Sequence, residues 1–164
     1  MNFSSEFLVS AILVGVGATL FMDLWALLLR AFGVAPPNYC IIGRWLCHMP
    51  AGRFVHGNIG EAAAKPAECA VGWVFHYAVG IAYAFLLLAV TPAGWLAQPT
   101  LLPALLLGVA TVVVPYFVMQ PCLGLGIAAA KTPNPMEARL KSLMNHTVFG
   151  IGLYVAALLL STLS

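Results

Sequence analysis

Three ionisable side chains stand inside stretches that are otherwise apolar: Asp23, His76 and His146. A carboxylate and two imidazoles could relay protons, or bind a zinc or iron ion. Counting at ~1.5 Å per residue, Asp23 lies roughly 10 Å from Arg30, His76 about 12 Å from Glu68 and His146 about 7 Å from Lys141. If each helix leaves the apolar region at those charges, the three groups share one depth. At 100° per residue, each also shares a stripe with small residues. The stripes are Gly15, Thr19, Asp23, Ala26 and Arg30; Glu68, Gly72, His76, Gly80 and Tyr83; and Arg139, Ser142, His146, Gly150 and Ala157. Such stripes allow helices to approach closely. Asp23, Glu68, His76, Gln120 and His146 are therefore the candidate polar site.

A second cluster lies further along the first connection: Arg44, Cys47, His48, Arg53 and His56. A thiol with imidazoles can bind metal, and arginines can hold lipid phosphates. The competing account is an amphipathic helix on a membrane surface, with Arg44 extending to the headgroups. For the first cluster, too, a structural account competes: polar groups often only bond one membrane helix to another, at ~0.6–2 kcal/mol each. A b-type haem between His76 and His146 is a further possibility. It needs the glycines four residues from each histidine to leave room for a porphyrin. The di-iron signature of Glu-x-x-His on a helix is missing, as is His-x-x-x-His. The sequence specifies no cofactor.

The elements that must position these groups follow from composition. The chain has 164 residues, 62% of them hydrophobic and only 7% charged. Soluble domains carry roughly 25% charged residues. Twelve charged side chains cannot cover the surface of a soluble fold this size, and a bilayer supplies the missing solvent. Four apolar stretches, at about 7–32, 69–90, 101–120 and 143–163, approach the ~20 residues a helix needs to cross ~30 Å of hydrocarbon, and the expected helices run over about 7–32, 69–90, 101–120 and 135–163. Lipid demands that every backbone group be paired within its own segment, which favours helices. The expected fold is an all-α integral membrane protein. It is a single four-transmembrane-helix bundle over residues 1–164, with a short interfacial helix, Tyr39–Met49, in the first loop. Asn38 is its N-cap. The fourth helix is expected to begin at Pro135, after an Asn134 cap, with Glu137 and Lys141 paired one turn apart. Pro115 is expected to kink the third.

All seven basic residues fall in or beside loops one and three, and none in loop two or either tail. The positive-inside rule then places loops one and three in the cytoplasm and both termini outside. Trp25, Trp45 and Trp73 fit the cytoplasmic headgroup belt, and Trp95 the outer one. The tail MNFSSEF lacks the basic start of a signal peptide. The net charge of +2 is too small to imply nucleic acid. The partners expected are the lipid bilayer and either further copies of the chain or a larger membrane complex. Four cysteines, Cys40, Cys47, Cys69 and Cys122, form no C-x-x-C pair, and a reducing cytoplasm would keep them as free thiols.

The runs GATLFMDLWALLLR (Gly17 to Arg30), GRWLCHMPAGRF (Gly43 to Phe54), MQPCLGLGIAAAKTPNP (Met119 to Pro135) and HTVFGIGLY (His146 to Tyr154) together make the chain similar to a family. The sequence resembles bacterial inner-membrane proteins catalogued as domain of unknown function 2938. The resemblance covers nearly the whole chain and implies a four-helix protein of a bacterial inner membrane. It carries no activity and no catalytic residue. The two functional readings are a transport, permeability or accessory-subunit role and, as the alternative, a metal- or haem-dependent redox enzyme.

Overall fold

The computed structural model describes residues 5–163, and the described residues are all helix, turn and loop. The tail Met1–Ser4, part of the segment read for a signal peptide, lies outside them. Helix α1 spans Ser5–Ala31, α2 Tyr39–His48, α3 Glu68–Val90 and α4 Leu101–Ala110; α5 is the single turn Gln120–Cys122 and α6 spans Pro135–Leu163. Four helical segments are long and apolar enough to cross a membrane: α1, α3, the stretch Leu101–Cys122 and α6.

The local signals act where the sequence puts them. Asn38 Oδ1 accepts the Cys40 amide at 3.1 Å and starts α2. The Asn134 carbonyl accepts the Ala138 amide at 3.1 Å, and α6 starts at Pro135. Lys141 meets Glu137 at 2.7 Å, one turn on. At Pro115 the helix widens into a π turn over Pro115–Met119. Proline has no amide to donate and its ring crowds the carbonyl four residues back. In the turn before Pro115 the Val114 amide donates to the Thr111 carbonyl, three residues back, at 3.1 Å; in the turn after it the Gln120 amide donates to the Pro115 carbonyl, five residues back. The helix is thus irregular at Pro115, where the kink is expected.

The chain forms two compact units. One comprises Met1–Pro36, Tyr77–Ala110 and Asn145–Ser164, the other Pro37–His76 and Thr111–Met144. The first has a core of Val14, Ala18, Ala84, Leu87, Trp95, Ala104, Phe149, Leu153 and Ala157. Its helices meet through small residues. A methyl group added at Gly15 would strike the backbone of Ile81, and one at Gly108 that of Gly150. Buried Thr19 returns its hydroxyl to the Gly15 carbonyl at 2.8 Å, so its polarity is satisfied within α1.

The second unit is built around Trp45, Ile59 and Leu123. Loop one is stitched to the segment after the π turn by backbone bonds. The His56 amide donates to the Cys122 carbonyl at 2.8 Å, and the Ile59 amide to that of Leu123 at 3.1 Å. Two of the tryptophans read for the headgroup belts are packed into the cores of their units. Trp45 is 7% exposed and donates to the Phe54 carbonyl at 2.7 Å; Trp95 is 8% exposed and donates to Thr100 Oγ1 at 3.2 Å. Each indole finds its partner inside its own unit, so no headgroup is needed.

Candidate functional site

In the first unit the polar feature is a carboxylate and a phenol. Tyr77 Oη donates to Asp23 Oδ2 at 2.9 Å, joining α3 to α1. Both side chains are half-buried. Asp23 stands eight residues before the end of α1, about 12 Å along the axis. Sequence reasoning missed Tyr77. It lies beside His76 but one residue, and so about 100°, off the stripe of Glu68, Gly72, His76 and Gly80. His146 hydrogen-bonds the backbone of Gly108, linking α6 to α4.

In the second unit the ion pair Arg44–Glu68 dominates. The guanidinium forks onto the carboxylate, Nε to Oε2 at 2.9 Å and Nη2 to Oε1 at 2.7 Å. Its remaining nitrogen donates to the carbonyls of Gly60 and Ala62 at 3.3 and 3.2 Å. The Lys65 amide completes the set, donating to Glu68 Oε2 at 2.8 Å. Glu68, assigned from sequence to the intramembrane group, is thus engaged by Arg44 of the loop cluster. All three guanidinium nitrogens are used, so Arg44 works as a staple of loop one and has little left for a lipid phosphate. Donating to the Glu68 carboxylate raises the Arg44 pKa above its ordinary value, against the effect of burial.

Beneath this pair α2 and α3 almost touch. A methyl group at Gly43 would overlap the Glu68 carbonyl, and one at Gly72 the Tyr39 carbonyl. Tyr39 stacks on His76 with ring centres 4.1 Å apart and packs against Trp73 at 4.6 Å. Beside the same crossing, Cys40 and Cys69 are joined by a disulfide. The expectation of four free thiols is corrected: Cys47 and Cys122 are free, and Cys40 and Cys69 are bonded. The crossing brings together two cysteines 29 residues apart, which spacing alone does not reveal.

The loop cluster is partly assembled. His48, buried, sets its Nε2 2.9 Å from the Ala63 carbonyl and meets the His56 ring edge-on at 5.2 Å. Both ring nitrogens of His56 are buried without a hydrogen-bond partner, and so is Gln120 Oε1. The π turn delivers Gln120, 7% exposed, to the interior. Arg53 is exposed; its amide donates to the His48 carbonyl at 3.3 Å. Cys47 is half-buried. Among the described residues, no group of three or more His, Cys, Asp or Glu side chains could hold a metal ion. Nor is there clearance at the glycines that a porphyrin would need. A methyl at Gly80 would strike the Thr19 side chain, and one at Gly150 would lie 3.0 Å from the Ala104 carbonyl oxygen. Those gaps are filled by neighbouring helices.

Searches of curated proteins and of solved structures found no match to the chain. A family model does match, over residues 12–160, and its description is "Protein of unknown function (DUF2938)". The four quoted runs lie within or across that interval, and the chain belongs to this family.

Proposed function

We propose that this is a multi-pass protein of a bacterial inner membrane with a transport or permeability role, in which Asp23 and Tyr77 form a proton-accepting site on the pathway. The observation that carries the reading is the Asp23–Tyr77 hydrogen bond within two long apolar helices. A carboxylate near the centre of a membrane helix costs about 2.5–3.5 kcal/mol on insertion scales. An interhelical hydrogen bond returns only about 0.6 kcal/mol on average. An apolar pair would hold α1 to α3 more cheaply, so the retained carboxylate points to a role in accepting and releasing charge. Both termini are periplasmic and loops one and three cytoplasmic, because every basic residue belongs to those loops or their borders. Four helices rarely enclose a complete pathway, so the working form is a homo-oligomer or part of a larger membrane complex.

The test is reconstitution into vesicles that trap a pH-sensitive dye. Wild-type protein should dissipate an imposed pH gradient faster than empty vesicles, and Asp23→Asn should return the rate to that of empty vesicles. Equal rates for Asp23→Asn and wild type, or no flux from wild type, would overturn the proposal. A periplasm-active reporter fused after Ser164 checks the orientation and should give signal.

A further inference from the structure

We infer that the Cys40–Cys69 disulfide is a redox-active centre that exchanges with dithiols. The reading is independent of the transport proposal and rests on four features of the α2–α3 crossing.

First, both sulfurs sit at helix starts. Cys40 is the second residue of α2, and its amide is held by the Asn38 cap; Cys69 is the second residue of α3. The partial positive charge of a helix N-terminus stabilises a thiolate there. Each cysteine is thereby a better leaving group than an ordinary thiol. Secondly, the negative charge adjacent in sequence to Cys69, that of Glu68, is neutralised by the two-pronged Arg44 contact. Thirdly, the sulfurs differ in access: Cys69 is exposed and Cys40 half-buried. An incoming thiolate therefore attacks Cys69, and Cys40 leaves. Fourthly, the bond is one of several links across the crossing. The Gly43 and Gly72 contacts and the Arg44–Glu68 pair also hold α2 against α3, and none of them passes through a sulfur.

The last point selects the class of substrate. A thiolate attacks Cys69 Sγ, the Cys40–Cys69 bond breaks, and Cys40 carries away the electron pair as a thiolate. Cys40 remains beside the new mixed disulfide. If the attacker is a monothiol, Cys40 attacks back and expels it, because a neighbouring nucleophile held in place has a large effective concentration. A dithiol has its own second thiol. That group attacks the partner's sulfur in the mixed disulfide and releases Cys69. The partner leaves oxidised by two electrons as a disulfide, and Cys40 and Cys69 are reduced by two, taking up the two protons that the partner gives up. The same steps run backwards with a disulfide partner. Disulfides facing a reducing cytoplasm are usually transient and catalytic or sensing, so the orientation proposed above exposes this pair to cellular dithiols. The chemistry itself does not require that orientation.

The experiment uses the full chain purified in detergent micelles. After incubation with a reductant, the sample is quenched in acid, and its thiols are tagged with a maleimide of high mass. Because Cys47 and Cys122 are free, the oxidised protein takes two tags and the reduced protein four. Dithiothreitol should convert the two-tag to the four-tag form without unfolding. Reduced glutathione should need a thiol concentration about tenfold higher or more to do the same. A reduced C-x-x-C protein compared with dithiothreitol at equal dithiol concentration tells a protein source from a small-molecule one. Cys40→Ser should accumulate a stable adduct at Cys69 with oxidised glutathione, because the expelling thiolate is gone; Cys69→Ser should form its adduct about tenfold more slowly, following burial. Should either variant fail to fold, the comparison of dithiol with monothiol on wild type still decides. Resistance of the folded protein to dithiothreitol overturns the inference, as does equal reduction by glutathione. A sample isolated with four tags that an excess of oxidised glutathione cannot convert to two overturns it as well.

Discussion

Gly72→Ala tests how tightly the α2–α3 crossing is built. The added methyl carbon would overlap the carbonyl oxygen of Tyr39 and stand 3.1 Å from the Gly43 nitrogen. All of these are backbone atoms, so no side-chain rotation relieves the clash and α2 must move as a whole. Overpacking a well-filled site costs typically 1–3 kcal/mol. Since the obstacle here is a helix backbone, about 3 kcal/mol is the appropriate end of that range. A displaced α2 also lengthens the Arg44–Glu68 contacts and disturbs Tyr39 on His76. Gly57→Ala is the control, because a methyl there meets nothing within 4 Å and should change stability by less than about 0.5 kcal/mol. The double variant Gly43→Ala with Gly72→Ala should cost less than the sum of the two, since the helix need only be moved once. Unfolding by denaturing detergent in mixed micelles, followed by tryptophan fluorescence with Trp45 buried in the same unit, gives the free energies. If Gly72→Ala matched Gly57→Ala, the close crossing and everything argued from it would be wrong.

Tyr77→Phe removes the donor to Asp23 and should lower stability by about 0.5–1.5 kcal/mol in the same unfolding assay, with helix content unchanged by circular dichroism. Leu153, fully buried in the core of the first unit, should cost about 2–5 kcal/mol as Leu153→Ala. Within a bilayer the value should fall at the low end, because lipid is as apolar as the leucine and mainly lost packing remains. His56→Phe deletes two buried, unpartnered nitrogens and keeps the ring against His48, so it should be neutral or stabilising. A loss above about 1 kcal/mol would show that the imidazole nitrogens are satisfied by something that the fold alone does not provide.

Helices were the legible part of this sequence, and the pairings between them were not. The four apolar stretches, the Asn38 cap and the start at Pro135 rest on neighbours within a few residues, where local rules apply. The helical stripes rightly indicated close approach, as Gly15 against Ile81 shows. Which partner a stripe meets is a tertiary matter. Arg44 finds Glu68 across 24 residues and Cys40 finds Cys69 across 29. Reading the cysteines by spacing and compartment therefore missed the bond, and reading Glu68 by depth separated it from Arg44. Tyr77 escaped because stripe counting treats a helix as having one polar face, whereas α3 has Tyr77 bonded to Asp23 and His76 stacked on Tyr39. Pro115 announced a break in the pattern but not that the turn after it would be a π turn.

That π turn has a consequence for comparing sequences. A π turn amounts to one residue more than an α-helix needs over the same rise, so everything after it is rotated by about 100° relative to a straight helix. Beyond Met119 this phase shift sets the side on which Gln120 and Leu123 fall, and both are buried. Deleting one residue within Pro115–Met119 would let the helix close to ordinary pitch. It would also turn Gln120 away from its present position and carry the Cys122 and Leu123 carbonyls off the amides of His56 and Ile59. The register of loop three is therefore written in one surplus residue, and an alignment gap there would mark a change of rotation even where every side chain type is kept.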